Sequence, residues 1–155
     1  MNAELVPQVR QWAEQSFGEG LYCAESVVLA LARAQGISSD VLPKVATAFC
    51  GGMARTCGTC GALTGAIMGV GLATGRSSAA ESAQPAYEAA QRLITQFELE
   101  FGSRDCHVLL GHDLGTPHGQ AAFREQQLAQ RCLRYTGRAA EMAAAILAGE
   151  APQRA

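Results

Sequence analysis

The sequence predicts an all-α protein, a compact single-domain bundle of about six helices carrying a loop rich in glycine and cysteine, on three grounds. Apolar residues recur at spacings of three and four through most of the chain, the period of a helix with one buried face, while alternation at period two is nearly absent. Glycines and prolines fall where helices of that pattern would stop or start. With 48% hydrophobic residues in a chain of 155, one substantial core can form without a second domain or a disulfide staple, so residues 1–155 read as one domain.

The elements follow in order. Glu4 to Phe17 reads as a first helix, broken by Gly18, Glu19 and Gly20 before a second from about Tyr22 to Gln35 that stops at Gly36. Ser38 or Ser39 can cap a third from Asp40 to about Phe49, with Pro43 early enough to be tolerated. The run CGGMARTCGTC (Cys50 to Cys60) is a loop by its glycines. A fourth helix from Gly61 to Thr74 carries Gly61, Gly65 and Gly69 on one face. Each glycine costs a helix about 1 kcal/mol relative to alanine, so that face must admit a close approach, by another helix or by a prosthetic group.

After the polar connector Gly75 to Gln84, a long helix runs from about Pro85 to Phe101, where Pro85 suits the first turn and Gly102 the stop. Ser103 and Asp105 can cap a short helix from Cys106 to Leu110. Gly111 to Gly119 reads as a loop, and Gln120 to Leu147 as a last helical region bending near Gly137, with a frayed tail over 149–155.

Charge excludes one class of partner. Twelve basic and fourteen acidic residues give a net charge of −2, without the basic excess that neutralises a phosphate backbone, so no nucleic acid is expected. The start of the chain lacks a basic segment followed by an apolar run, which points to the cytoplasm. The longest strongly apolar stretch, Ala62 to Ala73, is far shorter than the roughly 20 residues that span a bilayer, so it reads as a core helix.

Six cysteines carry the chemistry: Cys23, Cys50, Cys57, Cys60, Cys106 and Cys132. Cys23, Cys60 and Cys106 fall at or just inside predicted helix starts, where free amides and the helix dipole favour a thiolate, the nucleophile of disulfide exchange and the ligand of metals. Cys57 and Cys60 form a CxxC, a spacing that suits a reversible disulfide or a shared metal, although no βαβ pattern surrounds it. Residue 61 is glycine where covalent haem would need histidine. His107, His112, His118, Arg55, Asp105 and Glu25 are secondary candidates, each with an ordinary loop, cap or solvent role as its alternative.

The segments LYCAESVVLAL (Leu21 to Leu31), FCGGMARTCGTCGALTGAIMGVGL (Phe49 to Leu72) and FGSRDCHVLLG (Phe101 to Gly111), with Cys132 in CLRYTGRAAEM, together resemble the C_GCAxxG_C_C family, named for its cysteines and described as redox-active. The resemblance runs from about residue 18 to 142. It implies that the signature cysteines are Cys23, Cys60, Cys106 and Cys132, and that the glycine motif falls on Cys60, Gly61, Ala62 and Gly65. Cys50 and Cys57 stand where relatives usually carry glycine or another small residue. Related domains occur with haem and iron–sulfur components, and members are often encoded near transporters, which implies a redox partner or a transport-associated one.

Three readings stay open at this point. In the first, Cys60 is a low-pKa nucleophile in thiol–disulfide chemistry, resolved by Cys23, Cys106 or Cys57. In the second, Cys23, Cys60, Cys106 and Cys132 bind an iron–sulfur cluster or another thiolate-bound metal, with Gly61 and Gly65 making room for the cofactor. In the third, the protein is a non-catalytic helical interaction module. A homodimer packed through the glycine face is a further expectation.

Overall fold

Residues 1–149 are described by a computed structural model, so the predicted frayed tail lies, beyond Gly149, outside the described residues. A 3₁₀ turn, Ala3–Leu5, leads into α1 (Val6–Gly18), with Pro7 in its first turn, where a missing N–H goes unnoticed. Helix α2 (Cys23–Ala34) begins with Glu25 folded back to accept from the Tyr22 N–H at 2.7 Å, which satisfies one donor at the helix start. The same carboxylate accepts from the Thr47 hydroxyl at 2.6 Å and so ties α2 to the end of α3 (Val41–Ala46) and its 3₁₀ extension Thr47–Phe49. Glu25 is therefore a buried clamp.

Helix α4 (Gly61–Thr74) begins and ends as the glycines predict. Helices α5 (Gln84–Phe101) and α6 (Cys106–Leu110) also match, both closed by left-handed glycines, Gly102 and Gly111. The last region differs from expectation. It forms two helices, α7 (Pro117–Glu125) and α8 (Ala129–Leu147), and the count rises above six. Thr116 caps α7 by accepting from the Gly119 N–H at 3.0 Å, and Pro117 takes the first position, so the helix starts earlier than Gln120. The break falls at Gln127, whose φ of 52° cannot continue a right-handed helix. Gly137 does not bend α8. Its missing side chain makes room for the Glu14 carboxylate of α1.

Helix α2 occupies the centre, packed by α1, α3, α4 and α8, and α5 closes the far side of α4 and α8. Val9, Val27, Leu31, Leu63, Leu93 and Phe97 fill the core between them. The close approach that the glycines of α4 required is made by α2. A side chain at Gly65 would run into the Ala24 backbone, and one at Gly69 into Leu31. That face is used within the chain, which leaves neither room for a bound group at Gly65 nor a free surface for a dimer axis.

At the edge, Arg138 of α8 donates to both Glu100 oxygens of α5 at 2.9 and 2.7 Å and also meets Glu141, which accepts from Arg10 of α1. The Arg138 guanidinium holds the Glu100 carboxyl below its usual range against the opposing effect of burial. No helix of the described residues is long and apolar enough to cross a membrane. A second, smaller apolar cluster forms around Cys106, Leu110 and Leu128, flanked by Leu114, Phe123, Cys132 and Tyr135. Tyr135 joins it to the bundle, its ring edge-on to Phe101 at 4.9 Å and its hydroxyl donating to the Leu109 carbonyl at 3.1 Å.

Candidate functional site

Where the large core and the small cluster meet there is a cavity of about 490 Å³. Five of the six cysteines line it, each delivered by a different piece of chain. Cys23 comes from the first turn of α2, Cys50 from the end of the 3₁₀ turn after α3, Cys60 from the residue that precedes α4, Cys106 from the start of α6 and Cys132 from the first turn of α8. The four cysteines singled out by the family resemblance thus share one cavity.

The loop that places Cys50 and Cys60 is unusual. Five consecutive residues are left-handed: Gly51, Gly52, Met53, Ala54 and Arg55 have φ of 65°, 74°, 58°, 55° and 65°. This is a short left-handed turn, in which each non-glycine residue costs about 1–2 kcal/mol because Cβ crowds the following carbonyl. Local and long-range bonds together hold it. The Gly58 N–H donates to the Gly52 carbonyl at 3.0 Å, and the Cys106 N–H donates to the Gly58 carbonyl at 2.9 Å. The Cys60 N–H donates in turn to the Arg104 carbonyl at 2.7 Å, so that the starts of α4 and α6 are pinned side by side. Gly52 is obligatory here, since a side chain on it would run into Cys106.

Gly61 has the corresponding role on the other wall. A Cβ at that position would overlap the Cys23 sulfur and press on the Cys50 backbone. Cys23 and Cys50 both stand at this gap, and the Cys50 thiol donates to the Ala46 carbonyl at 3.7 Å. The Cys50 sulfur also faces the amides of Ala24 and Glu25 at the start of α2. Even so, the contact with Cys23, followed by burial, raises the Cys50 thiol pKa.

The lowered pKa expected of Cys60 at a helix start is reversed. The amides of Ala62 and Leu63 do favour its thiolate, but burial outweighs them, and the thiol is pushed up to about 12. Burial pushes Cys106 up to about 11 and Cys132 up to about 12, with neighbouring cysteines adding to both. The three thiols are protonated at neutral pH.

Cys57 is separate from this group. It is left-handed, with φ 60°, and the nearby Asp113 carboxylate raises its thiol pKa. It does not line the cavity, so the CxxC does not act as a facing pair. Asp105 precedes α6 without a side-chain capping bond, and the Ser103 hydroxyl accepts from its N–H at 3.0 Å. None of the histidines lines the cavity, and His112 pairs instead with Gln126 at 3.2 Å. Arg55 does line it, as does Arg124, which the sequence did not single out.

Cys50 was also missed as a member of the group. Its signal is its place between the apolar end of α3 and a Gly-Gly, where a buried residue meets a sharp turn. The thiols are arranged around a space, not about a point, and among the described residues no three of His, Cys, Asp or Glu come together as ligands of a single metal ion. The six cysteines stand as free thiols.

Comparison with family models matches residues 21–146 to the family described as "Putative redox-active protein (C_GCAxxG_C_C)". No curated protein and no solved structure matches the chain.

Proposed function

The chain belongs to the C_GCAxxG_C_C family of proteins described as redox-active, and from that premise we propose that it performs thiol–disulfide chemistry in the cavity, with Cys23 and Cys50 as its reacting pair. The observation that carries this reading is that Cys23 and Cys50 meet at the Gly61 gap, inside a cavity walled by three further cysteines. Oxidation of the pair forms one sulfur–sulfur bond and releases two protons and two electrons, which a disulfide or a redox partner accepts. One thiol of the pair attacks and the other resolves the mixed disulfide that forms. Cys60, Cys106 and Cys132, protonated at neutral pH, serve as the opposing wall and as a second set of thiols to which the bond can pass.

The test is peptide mapping after mild oxidation under native conditions. A linked peptide pair containing Cys23 and Cys50, lost on reduction, supports the reading, and oxidised protein in which neither residue changes state sinks it.

A second reading takes support from the convergence of Cys23, Cys60, Cys106 and Cys132 from four elements. Their spread around the walls does not fit a single ion and would suit only a larger, cluster-sized group. Iron and sulfide analysis of anaerobically prepared protein separates the two, because the thiol reading expects protein free of both.

A further inference from the structure

The cavity has a second chemical character besides its sulfur. Its walls are largely apolar, with Phe17, Leu109, Phe123 and Tyr135 among them, and its volume of about 490 Å³ lies in the range that holds a small organic molecule. No carboxylate lines it, and the two charged residues that do, Arg55 and Arg124, are both cations. Neither arginine is in an ion pair among the described residues, and both are exposed at the rim, so their guanidinium groups are open to a ligand. Helices α2 and α4 also begin on the cavity, so their positive ends add to the field of the arginines.

We propose that the cavity takes a small disulfide with an apolar body and an acidic group, the acid held by Arg55 and Arg124 and the disulfide reduced by Cys23 and Cys50. This rests on the thiol reading above and adds its substrate class. The step balances. One thiol of the Cys23–Cys50 pair attacks one substrate sulfur and the other substrate half leaves as a thiol, and the second cysteine then displaces the first half from the mixed disulfide. One substrate S–S bond is broken and the Cys23–Cys50 bond is made, so the substrate takes up two electrons and the two thiol protons. Arginine suits the task because its planar fork meets a carboxylate with two parallel hydrogen bonds, while the apolar wall removes the rest of the molecule from water.

The test uses two aromatic disulfides on the reduced full-length chain at mildly alkaline pH: dithiobis-nitrobenzoate, which carries a carboxylate on each ring, and uncharged dithiodipyridine. The reaction with dithiobis-nitrobenzoate should saturate with reagent concentration. Replacing both arginines (Arg55→Gln with Arg124→Gln) should raise the half-saturating concentration at least about 10-fold, and change the rate with dithiodipyridine less than about 2-fold. A redox-inert aromatic carboxylate, nitrobenzoate, should in addition slow dithiodipyridine at the wild-type cavity and not at the double variant. This arm needs only the wild-type protein should the variant fail to fold. If the variant treats the two disulfides alike, or nitrobenzoate gives no protection, the acidic substrate is excluded while the thiol reading survives through a mapped Cys23–Cys50 link. If neither disulfide links that pair, both readings fall.

Discussion

Between Cys50 and Gly58 the glycines let the backbone turn left-handed, whereas from Gly61 to Gly69 they keep an ordinary right-handed helix and strip its face of side chains. The two stretches meet at Cys60 and differ in what supports them. The helix is locally consistent, since its boundaries, its apolar character and its glycine spacing all suit one packed helix. The left-handed turn conflicts with its own residues at Met53, Ala54 and Arg55, and it is held by backbone bonds within the turn, such as Ala54 N–H to the Cys50 carbonyl at 3.0 Å, together with the Cys106 N–H bond to Gly58. The strained stretch supplies Cys50 and Arg55 to the cavity, and the relaxed one supplies the surface on which α2 brings Cys23. Strain is concentrated where the thiols are.

Cys60, at the junction, offers the largest effect. If burial outweighs the helix start, its alkylation at pH 8 should be about 1,000-fold slower in the folded protein than in the unfolded chain, following a thiol pKa near 12 against the ordinary value of about 8.5. Mass spectrometry of pulse-labelled Cys60 measures this, and labelling at the unfolded rate would mean that the helix start prevails. The same displacement sets a pH dependence. The unfolded chain loses its thiol protons first as pH rises, so between about 8.5 and 12 it binds fewer protons than the folded one. Stability should therefore fall through that window, and a melting series from pH 7 to 10 should show a declining midpoint.

The glycine face comes next. Gly65→Ala places a methyl group against the Ala24 backbone, which cannot turn aside as a side chain could. A loss of about 3 kcal/mol and a fall in Tm of roughly 10 °C are expected. A variant that melts within a degree or two of the parent would break the contrast, because α2 would then not need the bare face.

Gly52→Ala tests the other stretch, with an expected loss of about 2 kcal/mol from left-handed strain and from the collision with Cys106. It carries a separate signature: Cys106 should be labelled faster, since its wall is pushed outward. Unchanged Cys106 labelling in a destabilised variant would show that the turn and the cavity wall move independently.

How much of this was legible in the sequence follows the same division. The bounds of α4 and α6 could be read because glycine stops and the first-turn pattern are local signals. Three of the four cysteines shared with the family, Cys23, Cys60 and Cys106, could be placed at helix starts for the same reason, whereas Cys132 could not, because the break before α8 at Gln127 was not read. The left-handed run beyond Gly51 and Gly52 could not be read, since Met53, Ala54 and Arg55 have no local preference for it. Gln127 breaks the last helix without a glycine or proline to mark it, whereas Gly137, the residue that looks like a breaker, packs against Glu14. Cys57 drew attention through its spacing from Cys60, yet a spacing says nothing of the sign of φ, and Cys57, left-handed at 60°, does not line the cavity. Burial of Cys60 was likewise invisible, and it reversed the effect of the helix start.

The smallest effect is the sharpest test of where the strain lies. Ala54 ends the segment assigned as Cys50–Met53 with φ 55° and ψ 40°, a conformation glycine adopts without penalty. Ala54→Gly should relieve about 1–2 kcal/mol of local strain and cost about 0.5–1 kcal/mol through the freer unfolded chain, for a net gain below about 1 kcal/mol. The same substitution in a right-handed helix is destabilising, so the sign of the change reports the handedness of the turn directly. A rise in Tm of about 1–3 °C would place the strain in the backbone of the turn. A fall would mean that Ala54 contributes more through its methyl group on the cavity wall than its conformation costs, and the turn would then be held by packing as well as by its hydrogen bonds.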